Sequence, residues 1–235
     1  MDLYENIDYY ENKNYQSLAV KAYDILEEAI VMLYLKPGQT YSETDLSSFT
    51  GIGRTPVREA VKRLESTYLL EISPRKGITI TKVRLEECYL QMEVRNMLER
   101  LVAIRAAKFS TPQERKIFLD LADRYQAATD RMDALASMRI DYEFNDFESD
   151  CARNIFAKTA LLQLHPLARR LYYMQFHVSE SLTRDINNAH CELMKAIASG
   201  DENKTIHASE HLLKQIQKLT VSTMDTIFGE FNQLM

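Results

Sequence analysis

Only 6 glycines and 5 prolines are spread over 235 residues. A fold of many short strands needs turn-forming residues about every 8–12 positions, so this chain has punctuation for a few long elements only. From Leu85 onward the apolar spacing reads as helix almost throughout, with Pro166 and Gly200-Asp201 as the breaks after Pro112. Amphipathic segments are predicted over 85–109, 112–130, 133–153, 156–182, 185–199 and 202–228. Thr111-Pro112-Gln113-Glu114 reads as a capping box with proline at the first helical position. No unit of 20–50 residues repeats, which points to a bundle rather than a solenoid. Hydrophobic residues at 46% and charged residues at 27% fit an ordinary globular chain and exclude collagen-like and wholly disordered classes.

No stretch reaches the roughly 18–20 apolar residues of a membrane span. The acidic, tyrosine-rich start MDLYENIDYYENKNY is not read as a signal peptide. Residues 1–15 are read as an extension, either disordered or packed on a partner protomer. Cys88, Cys151 and Cys191 are odd in number and far apart, as expected of reduced core thiols in a cytoplasmic protein.

The formal charge of −5 hides a basic island. Residues 54–84 hold Arg54, Arg58, Lys62, Arg63, Arg75, Lys76, Lys82 and Arg84 against Glu59, Glu65 and Glu71. A polyanion responds to local positive charge, because screening limits its reach to about 10 Å. The flanking pattern places this island. One apolar stripe (Leu18, Ala22, Ile25, Leu26, Ala29, Ile30, Leu33) predicts a helix over 17–35, ended by Pro37-Gly38. Ser42 caps a second, short helix whose Glu43 and Asp45 suit its positive end, and Gly51 breaks it. A third helix opens at Thr55-Pro56 with Val57, Ala60, Val61 and Leu64 as its apolar face. Arg54, Arg58, Lys62 and Arg63 lie off that face, and Lys62 has Glu59 and Glu65 within pairing reach. Leu70, Ile72, Ile78 and Ile80 then alternate around Pro74-Arg75-Lys76-Gly77, a small hairpin with a basic tip. Two helices joined by a tight turn, followed by such a hairpin, make a winged helix-turn-helix. A helix fits the DNA major groove, and arginines at its N-terminal end can pair bidentately with guanine.

The run GRTPVREAVKRLE followed by PRKG resembles the signature of GntR-type bacterial transcription regulators. Two residues depart from it: Gly53 replaces a capping Ser or Thr, and Tyr68 stands where a glycine usually ends the helix. The resemblance implies DNA contacts from Thr44, Arg54, Thr55, Arg58, Lys76 and Gly77, with Arg63 either a contact or a surface charge. The remainder resembles the α-helical FCD effector domain of the FadR-like branch, through EVRNMLERLVAIRAA (93–107), DYEFN with Asn154, and HCELMKAIASGD with HASEHL. The expected fold is therefore mainly α: an N-terminal winged helix-turn-helix over 16–82 and a C-terminal all-α helical bundle over 83–235.

Many FCD domains bind a divalent metal through one Asp and three His. On the matching positions this chain has Asp141, Asn145, His190 and His211. An amide oxygen is a weak ligand for Zn²⁺ or Ni²⁺ but acceptable to harder ions, so the resemblance implies a Zn, Ni or Mn site altered at Asn145. His207 is read as surface, and His165 and His177 have no assigned partner. The resemblance also implies a small organic acid effector beside the metal, with Arg95 and Asn145 as candidate contacts. Arg95 has a second reading, a salt bridge to Glu99 or Glu148. Tyr89, Tyr142, Tyr172 and Tyr173 either line the cavity or pack.

These readings converge on a cytoplasmic, effector-controlled regulator that binds a double-stranded DNA operator as a homodimer, with no membrane partner. One alternative keeps the DNA role with a metal-free C-terminal domain that binds another ligand class. A metal-dependent hydrolase is the other, but no HExxH and no nucleophile elbow supports an enzyme.

Overall fold

Ser17 opens the first helix by accepting the Val20 amide through its hydroxyl. The computed structural model describes residues 9–10, 13–176 and 178–233, without the side chains of 85 and 223–233. His177 and most of the 1–15 extension lie outside the described residues. In its described part Tyr10 is buried, and Lys13 pairs with Asp24 at 3.1 Å. The chain divides into two compact units at Arg84/Leu85, with residues Pro166–Arg170 counted in the first.

In the first unit, α1 (Leu18–Val31) buries Ala22, Leu26, Ala29 and Ile30. It ends earlier than its stripe suggests, at a left-handed Leu33, and not at Pro37. Helix α2 (Glu43–Thr50) starts with a capping box in which the Ser42 hydroxyl accepts the Asp45 amide and Asp45 accepts the Ser42 amide. Gly51 ends it. Helix α3 (Arg54–Glu65) buries Val57, Ala60, Val61 and Leu64 and packs mainly on α1.

The hairpin of β2 (Leu70–Ser73) and β3 (Gly77–Ile80) is antiparallel, with Leu70 opposite Ile80 and Ile72 opposite Ile78. A third strand, β1 (Thr40–Tyr41), adds to β3 to give the order β1-β3-β2. Two residues are too few to show alternation, so the sequence pattern does not reveal this strand. It is held by the Thr40–Thr79 hydroxyl pair at 2.9 Å as well as by the ladder.

The second unit is helical. Its elements are α4 (Leu85–Phe109), α5 (Pro112–Asp130), α6 (Ala134–Cys151), α7 (Ile155–Gln175), α8 (Glu180–Ser199) and α9 (Glu202–Gln233). Thr111 and Glu114 form the expected capping box, Asp133 caps α6, and Asn154 caps α7 through the Ala157 amide. Helix α7 runs through Pro166 without a break, and the next boundary falls near 176–179, before the expected 182–185. Helix α8 packs on both α5 and α9. Ala103, Ala106, Ala122, Ala128 and Ala189 bring backbones close, and Phe118, Tyr125, Phe144, Met194 and Ile197 fill the space between.

Arg115 gathers three carbonyls, those of Ala107, Ser110 and Ala198. Gly200 ends α8 at φ +72, a left-handed conformation that favours glycine, and a Cβ there would also push the Arg115 guanidinium off these carbonyls. The three cysteines are buried and unbridged, and Cys191 donates its thiol to the Ala122 carbonyl.

Tyr68 adopts φ +61 while its side chain stays exposed. A left-handed non-glycine costs roughly 1–2 kcal/mol, partly offset in a glycine variant by the freer unfolded chain. Tyr68→Gly is therefore expected to stabilise the first unit by about 0.5–1 kcal/mol, read as a higher urea midpoint at unchanged slope.

Candidate functional site

Burial of one face of α3 decides what the other presents. Val57, Ala60, Val61 and Leu64 are all under 3% exposed, so Arg54, Thr55, Arg58 and Lys62 point into solvent. Arg54 and Arg58 are one turn apart and share a face at the helix start. Gly53 caps that start without a side-chain hydrogen bond, leaving the first amides open. Arg58 is already ordered: its Nε and Nη2 donate to the two carboxylate oxygens of Glu43 on α2, at 2.7 and 2.6 Å. That bidentate fork pulls the Glu43 carboxyl below its ordinary range. Thr44 is exposed on the same short helix.

Arg63 behaves differently. It lies two and a half turns beyond Arg54, hence on the opposite side of α3. Its guanidinium carbon sits 4.5 Å from the Tyr23 ring centroid. Glu65, one of the partners in reach of Lys62, accepts the Ile72 amide instead.

The hairpin tip is built to project charge. Arg75 is left-handed at φ +67, and Lys76 is exposed. Gly77 has φ +107, and a Cβ there would lie 2.9 Å from the Tyr41 carbonyl oxygen. Gly77 thus lets the wing close against β1 while the tip stands out.

The interior of the second unit holds a separate polar cluster. Asp141 and Asn145 lie one turn apart on α6, and Asn145 Nδ2 donates to Asp141 Oδ2 at 3.0 Å. His190 Nε2 lies 3.4 Å from Asp141 Oδ1. Its Nδ1 is 3.0 Å from the Ile186 carbonyl, which can only accept, so Nδ1 carries the proton. Tyr125 stacks on the imidazole with centroids 5.4 Å apart.

His211 does not join them. Its Nδ1 donates to Glu192 at 2.9 Å, and Gln215 donates to its Nε2. Residues 190 and 192 face different sides of α8, so a side chain meeting Glu192 is turned away from His190. Among the described residues no three His, Cys, Asp or Glu side chains are grouped to hold a metal ion. Of the four positions implied by the resemblance, the structure brings together Asp141, Asn145 and His190 and turns His211 to Glu192. Asn145 turns its amide N–H, not a lone pair, toward Asp141, and an amide is a poor fit to a resident transition metal at this corner.

Arg95 takes its salt-bridge reading, with Nε and Nη2 both on Glu99 Oε1 at 2.9 and 2.6 Å. Sequence reasoning left His165 unassigned; its Nε2 lies 3.3 Å from the same oxygen. Burial pushes the Glu99 carboxyl up, but Arg95 and His165 outweigh that and bring it down to about 2. Glu148 is 4% exposed and its Oε1 has no hydrogen-bond partner. Burial, with Glu99 and Asp141 nearby, pushes it well up. Burial likewise raises Asp141, against the pull of His190. Tyr172 and Tyr125 both donate to Asn187 Oδ1, extending the cluster. The sequence offered Arg95 two partners, Glu99 at i+4 or Glu148, and the structure pairs it with Glu99; Asn187 carried no sequence signal.

The family models agree with this division. "Bacterial regulatory proteins, gntR family" matches residues 18–80, and "FCD domain" matches 91–215. The chain belongs to the GntR family and carries an FCD domain. It is 26% identical over 206 residues to the HTH-type transcriptional repressor RspR of Escherichia coli K12, covering 86% of this chain and 89% of that one. It is also 26% identical to the HTH-type transcriptional regulator YdhC of Bacillus subtilis, covering 81% and 88%. The solved structure of E. coli McbR/YncC shares its fold, with TM-score 0.72 and 20% identity over 92% of this chain and all of that one. The relatives of this GntR chain are transcription regulators, not enzymes. Among its described residues no helix is long and apolar enough to cross a membrane.

The FCD carboxylates make opposite contributions to stability. Folded Glu99 ionises more readily than unfolded, so its contribution is present above about pH 4.5 and is lost as pH falls toward about 2. Folded Glu148 holds its proton longer than the unfolded chain does. Its contribution is complete below about pH 4.5 and is lost as pH rises through the raised folded value. Glu148→Gln is expected to flatten the fall in melting temperature from weakly acidic to neutral pH. An unchanged slope would contradict the assignment.

Proposed function

We propose that this GntR regulator reads its operator through Arg54, Thr55 and Arg58 at the start of α3. Thr44 and Lys76 contact the flanking backbone, and Gly77 supports the wing. The observation that carries this is the exposed pair Arg54 and Arg58, held outward by the buried face of α3 beside a basic wing tip. Arg58 exchanges Glu43 for a guanine edge or a phosphate on binding; Arg63, stacked on Tyr23, stays out of the contact. The regulator acts in the cytoplasm as a homodimer, one recognition helix per half-site. Arg58→Ala is expected to weaken operator binding by about 1–3 kcal/mol at fixed salt. Equal shifts by both proteins in a gel assay would remove Arg58 from the interface.

The effector is a small molecule held in the FCD interior, and it acts through unequal affinity for DNA-competent and incompetent states. An organic acid would have to take Arg95 from Glu99. The unpartnered oxygen of Glu148 favours a second reading, a ligand that brings an N–H or O–H donor. Calorimetry with small carboxylates and small amines separates the two readings.

The FCD domain works without a resident transition metal, because Asn145 donates to Asp141 and His211 is turned to Glu192. Protein purified without chelator or affinity tag is expected to carry no stoichiometric Zn, Ni or Mn. Asn145→His places a second imidazole beside Asp141 and His190 and is expected to raise Zn²⁺ and Ni²⁺ affinity. Elemental analysis and calorimetry check both, and stoichiometric metal in the wild type would restore the metal-dependent reading.

A further inference from the structure

Arg58 cannot leave Glu43 without consequence for the carboxylate it leaves behind. Both Glu43 oxygens accept from Arg58 Nε and Nη2, and the Glu43 side chain is 36% exposed. Its place is fixed locally: Glu43 is the first residue of α2, directly after the Ser42–Asp45 capping box. Across from it, Arg54, Arg58 and Lys62 recur every four residues along the exposed side of α3. The Arg58 hydrogen bonds, with the charges of Arg54 and Lys62 in support, keep Glu43 ionised. A carboxylate thus stands inside the basic face that meets DNA. When Arg58 moves to a guanine or a phosphate, that carboxylate loses both hydrogen bonds beside a polyanion.

The chemistry of the major groove limits what can replace them. An ionised carboxylate only accepts. The base-edge donors in that groove are the amino groups of cytosine and adenine. Adenine sets its N7 acceptor beside the amino group, which repels a carboxylate, whereas cytosine sets a C–H there. Every guanine that Arg58 reads has a cytosine opposite it. The two halves of the Arg58–Glu43 pair therefore match the two halves of a G·C pair.

We infer that Glu43 is a specificity-determining residue whose carboxylate, once Arg58 has left it, accepts the amino group of a cytosine in or next to the base pair that Arg58 reads. Where no cytosine stands there, the bared carboxylate faces base acceptors and phosphates, and Arg58 is held back on α2. This rests on the operator reading above and adds to it a residue and a base.

The experiment selects bound sequences from a randomised duplex library with wild type, Glu43→Gln and Glu43→Ala. Each protein is then titrated, over a range of salt, on the duplex that wild type selects and on one of unrelated sequence. Glu43 is partly exposed and both changes leave the Ser42–Asp45 cap in place; circular dichroism checks the fold. Glutamine keeps the shape and adds an amide that pairs bidentately with adenine. Wild type is expected to hold a cytosine that Glu43→Gln exchanges for adenine and Glu43→Ala leaves open. Discrimination between the two duplexes is expected to fall about tenfold in Glu43→Ala. On the unrelated duplex Glu43→Ala frees Arg58 for a phosphate, so it binds more tightly than wild type and its salt slope steepens by about one. The same selected sequence from all three proteins, or equal weakening on both duplexes, would overturn the inference. Arg58→Ala run in parallel keeps the two readings apart: if it loses affinity while the Glu43 variants behave as wild type, the operator reading stands and this one falls. If Arg58→Ala also binds as wild type, both fall.

Discussion

The rest of the first unit depends on how α3 is rotated against α1. Burying Val57, Val61 and Leu64 is worth roughly 1.5–3 kcal/mol for each side chain. Ala60 lets the helices approach. A slip of one residue would turn the helix by about 100° and carry Arg54 or Arg58 toward the core. The apolar face is thus what aims the guanidinium groups. The Glu43 fork then orders Arg58 before any DNA arrives, and the left-handed Arg75 with Gly77 thrusts the wing charges outward.

The FCD interior follows the opposite rule. Buried charge is tolerated where partners meet it, and the bundle supplies them unevenly. Arg95 and His165 satisfy Glu99; Asn145 and His190 satisfy Asp141; Glu148 is left with one oxygen unserved. A buried group left this way weakens the fold. The amide of Asn145 changes the character of its corner. Where an imidazole would present a lone pair to a cation, the amide presents a proton to a carboxylate.

Much of the architecture was readable because its signals are local. Ser42 with Asp45, Thr111 with Glu114, Gly51 and Gly200 mark helix ends through bonds spanning three or four residues. The basic tip of the wing was legible for the same reason. Other features escaped. Strand β1 has two residues and exists only because β3 offers it an edge. Pro166 removes one amide donor from α7, a loss that packing of the rest of the helix outweighs. The stripe of α1 continues past Val31, yet the backbone turns at Leu33, a choice no apolar periodicity records.

The amino-acid order by itself determined the basic helix after a sharp turn, the hairpin that follows it, and the succession of amphipathic helices. Each is a property of neighbours within a turn or two of backbone. Tertiary structure alone decided which distant side chains meet: Arg58 with Glu43, Arg95 with Glu99 and His165, His190 with Asp141, and His211 with Glu192 instead. The reason is rotational. Each residue advances a helix by about 100°, so two positions apart on α8 face different surroundings. Which of them reaches a partner is set by how whole helices pack.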